Sequence, residues 1–293
     1  MPRGIAVTAD NKLWVAEDEF SPRRVSVWDA GTGALVRDFI GPANYRGWGM
    51  ALDPLDITRL VTCGTEFKLD FAAKTYTPVS KLFLRRSRED CFTPDGNGMH
   101  SGGRFMRHGG KEFLVIGGGY CLTILQKRGD EYRAVAALSG LEANGRTTDG
   151  TDKSFWDSDL MYHFLPDWYP GFFKGHSGDN HIWNDLNGDG AAQENEVAFV
   201  KTLRRGDKFE EGRMGEWGCG WGIGVGPDFA IYMRGFCRDA SVIYRLDPVF
   251  TADGLPQYSF DRCKPIIFQD TTKDKRGTMS LYVSDTGDRK SVV

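Results

Sequence analysis

One short apolar run, strand-length and closed by a small or acidic residue, returns along the whole chain and constrains its fold more than any other feature. It reads Leu13-Trp-Val-Ala16, Leu60-Val-Thr-Cys63, Phe113-Leu-Val-Ile-Gly117, His181-Ile-Trp-Asn-Asp185, Phe229-Ala-Ile-Tyr232 and Leu281-Tyr-Val-Ser-Asp285. The copies recur about every 45 to 70 residues, an interval at which blade-like β repeats fall. Residues 3–7, 47–52 and 222–225 supply a preceding strand, and 25–29, 122–125 and 242–247 a following one. Turn residues separate them at Ala9-Asp-Asn11, Ala30-Gly-Thr-Gly33, Arg128-Gly-Asp130 and Ala252-Asp-Gly254. Helical periodicity is scarce. Short strands in meanders bury both faces only by stacking on copies of themselves, so the pattern predicts an all-β chain. The architecture it suggests is a β-propeller of six or seven blades, each a four-stranded antiparallel sheet.

The first repeat carries a family resemblance. Pro2-Arg-Gly-Ile-Ala-Val7 through Leu13-Trp-Val-Ala-Glu-Asp18, followed by Arg24-Val-Ser-Val-Trp-Asp29, looks like one NHL repeat, and Leu281-Tyr-Val-Ser-Asp285 looks like the start of another. The chain is thus similar to NHL-type, six-bladed TolB-like propellers, in architecture over most of its length and in sequence detail over the first repeat. Later repeats depart from the pattern, with long insertions between Gly140 and Gly178. The Arg245-Leu-Asp-Pro248 and Asp253-Gly-Leu-Pro256-Gln-Tyr258 segments also resemble large exported propeller proteins of environmental bacteria. That resemblance implies an extracellular or periplasmic binding or scaffold module, with a carbohydrate or protein ligand at the propeller face. The alternative in the same class is a calcium-dependent, lactonase-like hydrolase, which would need a Glu, two Asn and an Asp converging on the axial channel. No such set can be assigned from the sequence. A quinone-dependent sugar dehydrogenase has only the fold in its favour.

The most specific local motif spans Asp185 to Glu196. A calcium loop takes oxygen ligands at positions 1, 3, 5, 7, 9 and 12, with glycine at 6 for the turn. Asp185, Asn187, Asp189, the Ala191 backbone carbonyl, Gln193 (directly or through a water) and Glu196 occupy those positions, and Gly190 is the turn residue. The flanks, His181-Ile-Trp183 and Val197-Ala-Phe-Val200, have strand composition, and position 8 is Ala192 where paired EF-hands carry a branched coupling residue. The expectation is an EF-hand-type loop grafted onto a β-hairpin, with Ca2+ in a structural role. A solvated acidic turn is the simpler alternative.

Charge and composition exclude other classes. A formal net charge of -3, from 37 basic and 40 acidic residues, leaves no footprint for nucleic acid. The basic run Arg85-Arg-Ser-Arg88 is followed at once by Glu89 and Asp90 and reads as a solvated loop. No apolar stretch reaches the roughly 20 residues of a membrane span. The six cysteines are dispersed without a C-x-x-C pair, and Cys219 with Cys237 is the first choice for a disulfide should the protein be exported. Only His176 and His181 among the five histidines are close in sequence, so loop or strand-edge histidines are expected in place of a zinc centre. No nucleophile elbow or phosphate-binding loop occurs. The acidic, aromatic stretch from Asp149 to Phe173 reads as an insertion tucking its rings onto the propeller, ahead of a loop for a carbohydrate or a second cation. Trp217 and Trp221 read as core, and Arg205-Gly-Asp207 as a chance tripeptide.

The last residues, 288–293, are what one frame of a widely used sequencing adapter (GATCGGAAGAGCGTCGTG, then the stop TAG) would encode. The expectation is therefore a single propeller domain over 1–287, incomplete at one or both ends, followed by a non-native tail.

Overall fold

Strands β1 (Pro2–Val7), β2 (Lys12–Glu17), β3 (Arg24–Asp29) and β4 (Leu35–Ile40) pair in sequence order as a four-stranded antiparallel meander. They belong to a computed structural model that describes residues 2–17, 24–40, 50–62, 65–81, 90, 92, 103–118, 121–140, 170–173, 176, 179–203, 207–218, 224–270, 280–283 and 289–292. The turns follow from their residues. Asp29 Oδ1, for instance, accepts the amides of Gly31 and Thr32 at 3.1 and 2.9 Å and so closes the β3–β4 connection.

The same meander recurs as β5 (Met50–Asp53), β6 (Asp56–Thr62), β7 (Thr65–Asp70) and β8 (Thr75–Lys81). The third sheet begins likewise with β9 (Gly103–His108), β10 (Lys111–Gly118), β11 (Cys121–Arg128) and β12 (Glu131–Gly140), then continues into β13 (Asn180–Asn184) and β14 (Val197–Val200). The fourth is built from β15 (Glu216–Gly218), β16 (Ile231–Phe236), β17 (Ala240–Leu246) and β20 (Cys263–Asp270), with a small hairpin, β18 (Val249–Phe250) and β19 (Pro256–Gln257), inserted before its last strand. A final hairpin pairs β21 (Ser280–Val283) with β22 (Arg289–Val292).

The third sheet shows why these units stack. In β10, Phe113 and Val115 enter a cluster shared with Phe229, Ile231, Met233 and Val242 of the fourth sheet. The alternating residues Leu114 and Ile116 enter a second cluster with Ala51 and Val61 of the second sheet. A strand with a period of two that is apolar at every position must be covered on both sides, which explains the uninterrupted run Phe-Leu-Val-Ile. Serial four-stranded antiparallel meanders, stacked through two apolar faces, are the blades of a β-propeller.

Between the second and third sheets lies a buried ionic knot. Arg59 on β6 is 9 % exposed. Its Nε donates to Glu66, its Nη1 to both oxygens of Glu112 at 2.8 Å and to Asp53 at 3.3 Å, and its Nη2 to the Tyr132 hydroxyl at 2.9 Å. Arg107 adds bonds to Asp53 at 2.5 Å and to Glu112 at 3.3 Å.

Three expectations are corrected by the structure. The run His181–Asp185 is not the second strand of its own blade: β13 pairs with β12, Ala136 opposite Asn184, and lengthens the third sheet to six strands. The strand expected at 222–225 is not the first of the fourth sheet: β15 takes that place, and Val225, in the described part of that segment, makes only an isolated bridge to Ile231. Cys237 is a buried free thiol and not half of the expected disulfide. Cys219 itself, the run 85–89, segment 149–169, Trp221, Arg205, His100 and His163 lie outside the described residues.

Candidate metal centre

The loop from Asp185 to Glu196 closes the hairpin of β13 and β14, with Trp183 opposite Val197 and Ile182 opposite Ala198. Strand flanks, as the composition of 181–183 and 197–200 predicts, replace the two helices of an ordinary EF-hand. A one-turn 3-10 segment, Glu194–Glu196, carries the chain back into β14.

Each acidic position is held by backbone. Asp185 Oδ1 accepts the Gly188 amide at 2.8 Å and its Oδ2 the Gly190 amide at 3.2 Å. The Asp185 amide itself donates to the Val135 carbonyl at 2.9 Å, which fixes the start of the loop to β12. Glu196 Oε1 accepts the Leu186 amide at 2.9 Å, and Oε2 the Trp183 indole N–H at 3.1 Å and the Gln193 amide at 3.3 Å. Asn187 Oδ1 accepts the Asp189 amide at 3.0 Å, while Asp189 Oδ1 accepts that of Ala191 at 2.7 Å. Gly190 sits at φ +76°, the left-handed region that the sharp turn requires and that glycine enters without strain. Ala192, at position 8, is buried in the cluster between the second and third sheets, so it faces the protein's own core and no sister loop.

Asp185 and Glu196 are 4 % and 5 % exposed. Burial pushes the Asp185 carboxyl above its ordinary pKa, and neighbouring Glu196 adds to the shift, against the Gly190 and Gly188 amides and Arg128. Partial burial also works against Asp189, but the Ala191 amide and the side chains of Asn187 and Gln193 outweigh it and hold that carboxyl below its ordinary value. Arg128, at the end of β11, donates from Nη1 to the Gly188 carbonyl at 2.7 Å, and its Nη2 lies 3.8 Å from Asp185 Oδ2.

Among the described residues no three side chains of His, Cys, Asp and Glu converge as a metal site by themselves. Together with Asn187, Gln193 and the Ala191 carbonyl the loop's carboxylates could offer oxygen donors only, a set that would suit a hard cation of calcium's size better than zinc. Two buried carboxylates with a guanidinium already drawn to one of them add a second physical reason for a cation here.

The other sequence candidates fall elsewhere. His176 lies beside Asp179, Nδ1 to Oδ2 3.0 Å, and stacks on Phe199 at 3.8 Å. His181 is not a strand-edge residue but a core one, stacked on Phe92 at 5.5 Å, and burial pushes its pKa down to about 3. Trp217 is core, as expected, against Phe260 and Tyr244. Phe173, at the end of the acidic aromatic stretch, is buried against Phe92 and His181.

Sequence reading missed four contributors. Trp183 ties the last ligand position to the core, and its place two residues before Asp185 was a usable signal. Arg128 is 60 residues from Gly188 and left none. Asn180 and Asn184, on one face of β13, each use both ends of the amide, Asn180 on the start of β15 and Asn184 on the residue after β19. Asn180 accepts the Trp217 amide at 2.8 Å and donates to the Gly215 carbonyl at 3.1 Å, and Asn184 makes the same pair of bonds with the Tyr258 backbone at 2.8 and 3.0 Å.

No protein-family model matches the chain, and no curated protein does. Among solved structures it is similar to a protein from Lactobacillus plantarum (12% identity, 90% of this chain and 70% of that one, TM-score 0.28). It is also similar to Kuenenia stuttgartiensis hydrazine synthase (13%, 98% and 90%, 0.29) and to BamB from Moraxella catarrhalis (13%, 96% and 79%, 0.25). Likenesses this distant carry no chemistry or partner over to this chain, and the strand topology alone carries the fold. Among the described residues no helix is long and apolar enough to cross a membrane.

Proposed function

We propose that this chain is an exported β-propeller binding or scaffold module, of the NHL or TolB-like kind, whose Asp185–Glu196 loop takes up one structural Ca2+. The observation that carries the reading is the pair of buried carboxylates, Asp185 and Glu196, oriented by five N–H donors at the ends of one hairpin. Asp185, Asn187, Asp189, the Ala191 carbonyl, Gln193 and Glu196 would hold the ion. Asn187 and Gln193 also donate their amide nitrogens to Asp189 Oδ2 at 3.0 and 2.8 Å, which ties these three positions to one another. Bound calcium supplies charge neutralisation and a crosslink between β13 and β14, with no reaction routed through it.

With three carboxylates the expected dissociation constant is about 10⁻⁴ to 10⁻³ M or somewhat tighter. A site of that affinity would fill where calcium is millimolar. The hydrolase reading gains nothing from the asparagines of β13, because Asn180 and Asn184 are both committed to backbone groups.

Calorimetric titration of the wild type against Asp185→Ala tests the site, with equal heats from the two proteins ruling it out. At a hundredfold excess over the dissociation constant, calcium adds about 2.7 kcal/mol to stability by mass action. Glu196→Gln should lose most of that gain while remaining folded without metal. Substrate turnover that disappears in folded Glu196→Gln would replace the structural role with a catalytic one.

A further inference from the structure

Asp185 and Glu196 bring two negative charges into the protein, and Asp189 a third at its surface. Among the described residues the one cation within ion-pair distance of any of them is Arg128, 3.8 Å from Asp185 Oδ2. Glu196 has no ion-pair partner there. A single guanidinium thus faces a loop that it under-compensates. Its position is fixed by groups other than the carboxylate: Nε donates to Gln126 Oε1 at 3.0 Å and Nη1 to the Gly188 carbonyl at 2.7 Å. The approach to Asp185 is beyond hydrogen-bond length, so it acts through charge, without a directional bond.

We propose that Arg128 is a cation built into the metal-free loop, standing in for calcium beside Asp185 and, because it cannot withdraw, weakening the calcium site by its charge. This rests on the calcium reading of the loop. A guanidinium anchored to Gln126 and Gly188 stays when a divalent ion arrives. The attraction to Asp185 is therefore present in both states and the repulsion only in the loaded one. Arg128 narrows the difference between the two forms, which keeps the hairpin folded when calcium is scarce.

Arg128→Met keeps the apolar stem and removes the charge, and Arg128→Lys keeps a charge. In calorimetry at low ionic strength, the Met variant should bind calcium about fivefold tighter than wild type and the Lys variant within about twofold of it, the difference shrinking in high salt. In chelator, the Met variant should melt below wild type, and calcium should raise its melting temperature by more. Unchanged or weaker calcium binding by Arg128→Met would overturn the proposal and leave Arg128 as a tie to Gly188 only. If neither wild type nor variant takes up calcium, the calcium reading itself has failed. The stand-in role is then decided by a double-mutant cycle of Arg128→Met and Asp185→Asn in chelator. Coupling of about fivefold in the unfolding constant supports it, and additivity overturns it.

Discussion

Arg59→Met is the sharpest test of how the second and third sheets are held together. Methionine approximates the aliphatic stem and deletes the guanidinium, with its polar contacts and its place over the Phe105 ring, whose centre is 4.8 Å from the guanidinium carbon. The three carboxylates it serves do not suffer equally. Asp53 and Glu112 keep Arg107 at 2.5 and 3.3 Å, and Glu112 also has Lys127 at 3.9 Å. Glu66, 8 % exposed, loses its one ion-pair partner among the described residues. Removing one member of a buried pair costs about 3–5 kcal/mol, and the surviving Arg107 contacts argue for the lower end, about 3 kcal/mol. Urea unfolding at neutral pH, followed by tryptophan fluorescence, measures the loss as a fall in midpoint. Adding Glu66→Gln to Arg59→Met should recover part of it by removing the stranded charge, a gain that a purely steric effect would not give. A loss under about 1 kcal/mol would mean that the knot behaves like a solvated surface pair and that the reasoning is wrong.

His181, whose folded pKa lies near 3, is neutral in the native state, so the unfolded chain takes up its proton first as pH falls below 6.5. Stability should decline by up to about 1.4 kcal/mol per pH unit from there down, and His181→Phe should flatten that slope between pH 6 and about 4.5. Arg107 and the Leu55 amide outweigh burial and hold Asp53 below its ordinary pKa, so its contribution is present above the unfolded carboxyl's range and lost only in stronger acid. Asn184→Ala removes two bonds to Tyr258 and should cost about 2 kcal/mol in the same urea assay, whereas an unchanged midpoint would show the fourth sheet docking without them. Deleting 288–293 removes β22 from its hairpin with β21, and because an isolated hairpin adds little, the thermal midpoint should stay within about 2 °C. A fall of several degrees would show that the tail matters to the fold.

What the sequence made legible was local. Continuous apolar runs such as 113–117 were readable as strands buried on both faces, and the spacing of Asp185, Asn187, Asp189, Gly190 and Glu196 could be read without any neighbour. The hairpin around that loop followed from its flanks. The misreadings arose where pairing is non-local. His181-Ile-Trp-Asn has the composition of a blade's second strand, and nothing within it says that Ala136 will be its partner. β15 is three residues long and carries too little periodicity to stand out against Gly222–Val225. A histidine in a strand reads as a solvent-facing residue unless the aromatics that enclose it, here Phe92, Phe173 and Phe199, are known to converge. The ionic knot was invisible for the same reason, since Arg59 and Glu112 stand 53 positions apart.

Strand β13 connects these observations physically. Its alternation sends Asn180, Ile182 and Asn184 toward the fourth sheet and His181 and Trp183 into the rings that face the second, while Asp185 leaves the strand bonded to β12. The loop therefore begins where three sheets are tied to one another. Glu196, its last ligand position, accepts the Trp183 indole N–H, and that indole stacks on Phe92 with ring centres 4.8 Å apart. Were the loop to take up the proposed ion, one carboxylate and one indole would connect it to the packing between blades, with no channel residue needed. A cation there would be expected to rigidify the junction, and Trp183 fluorescence would report its arrival.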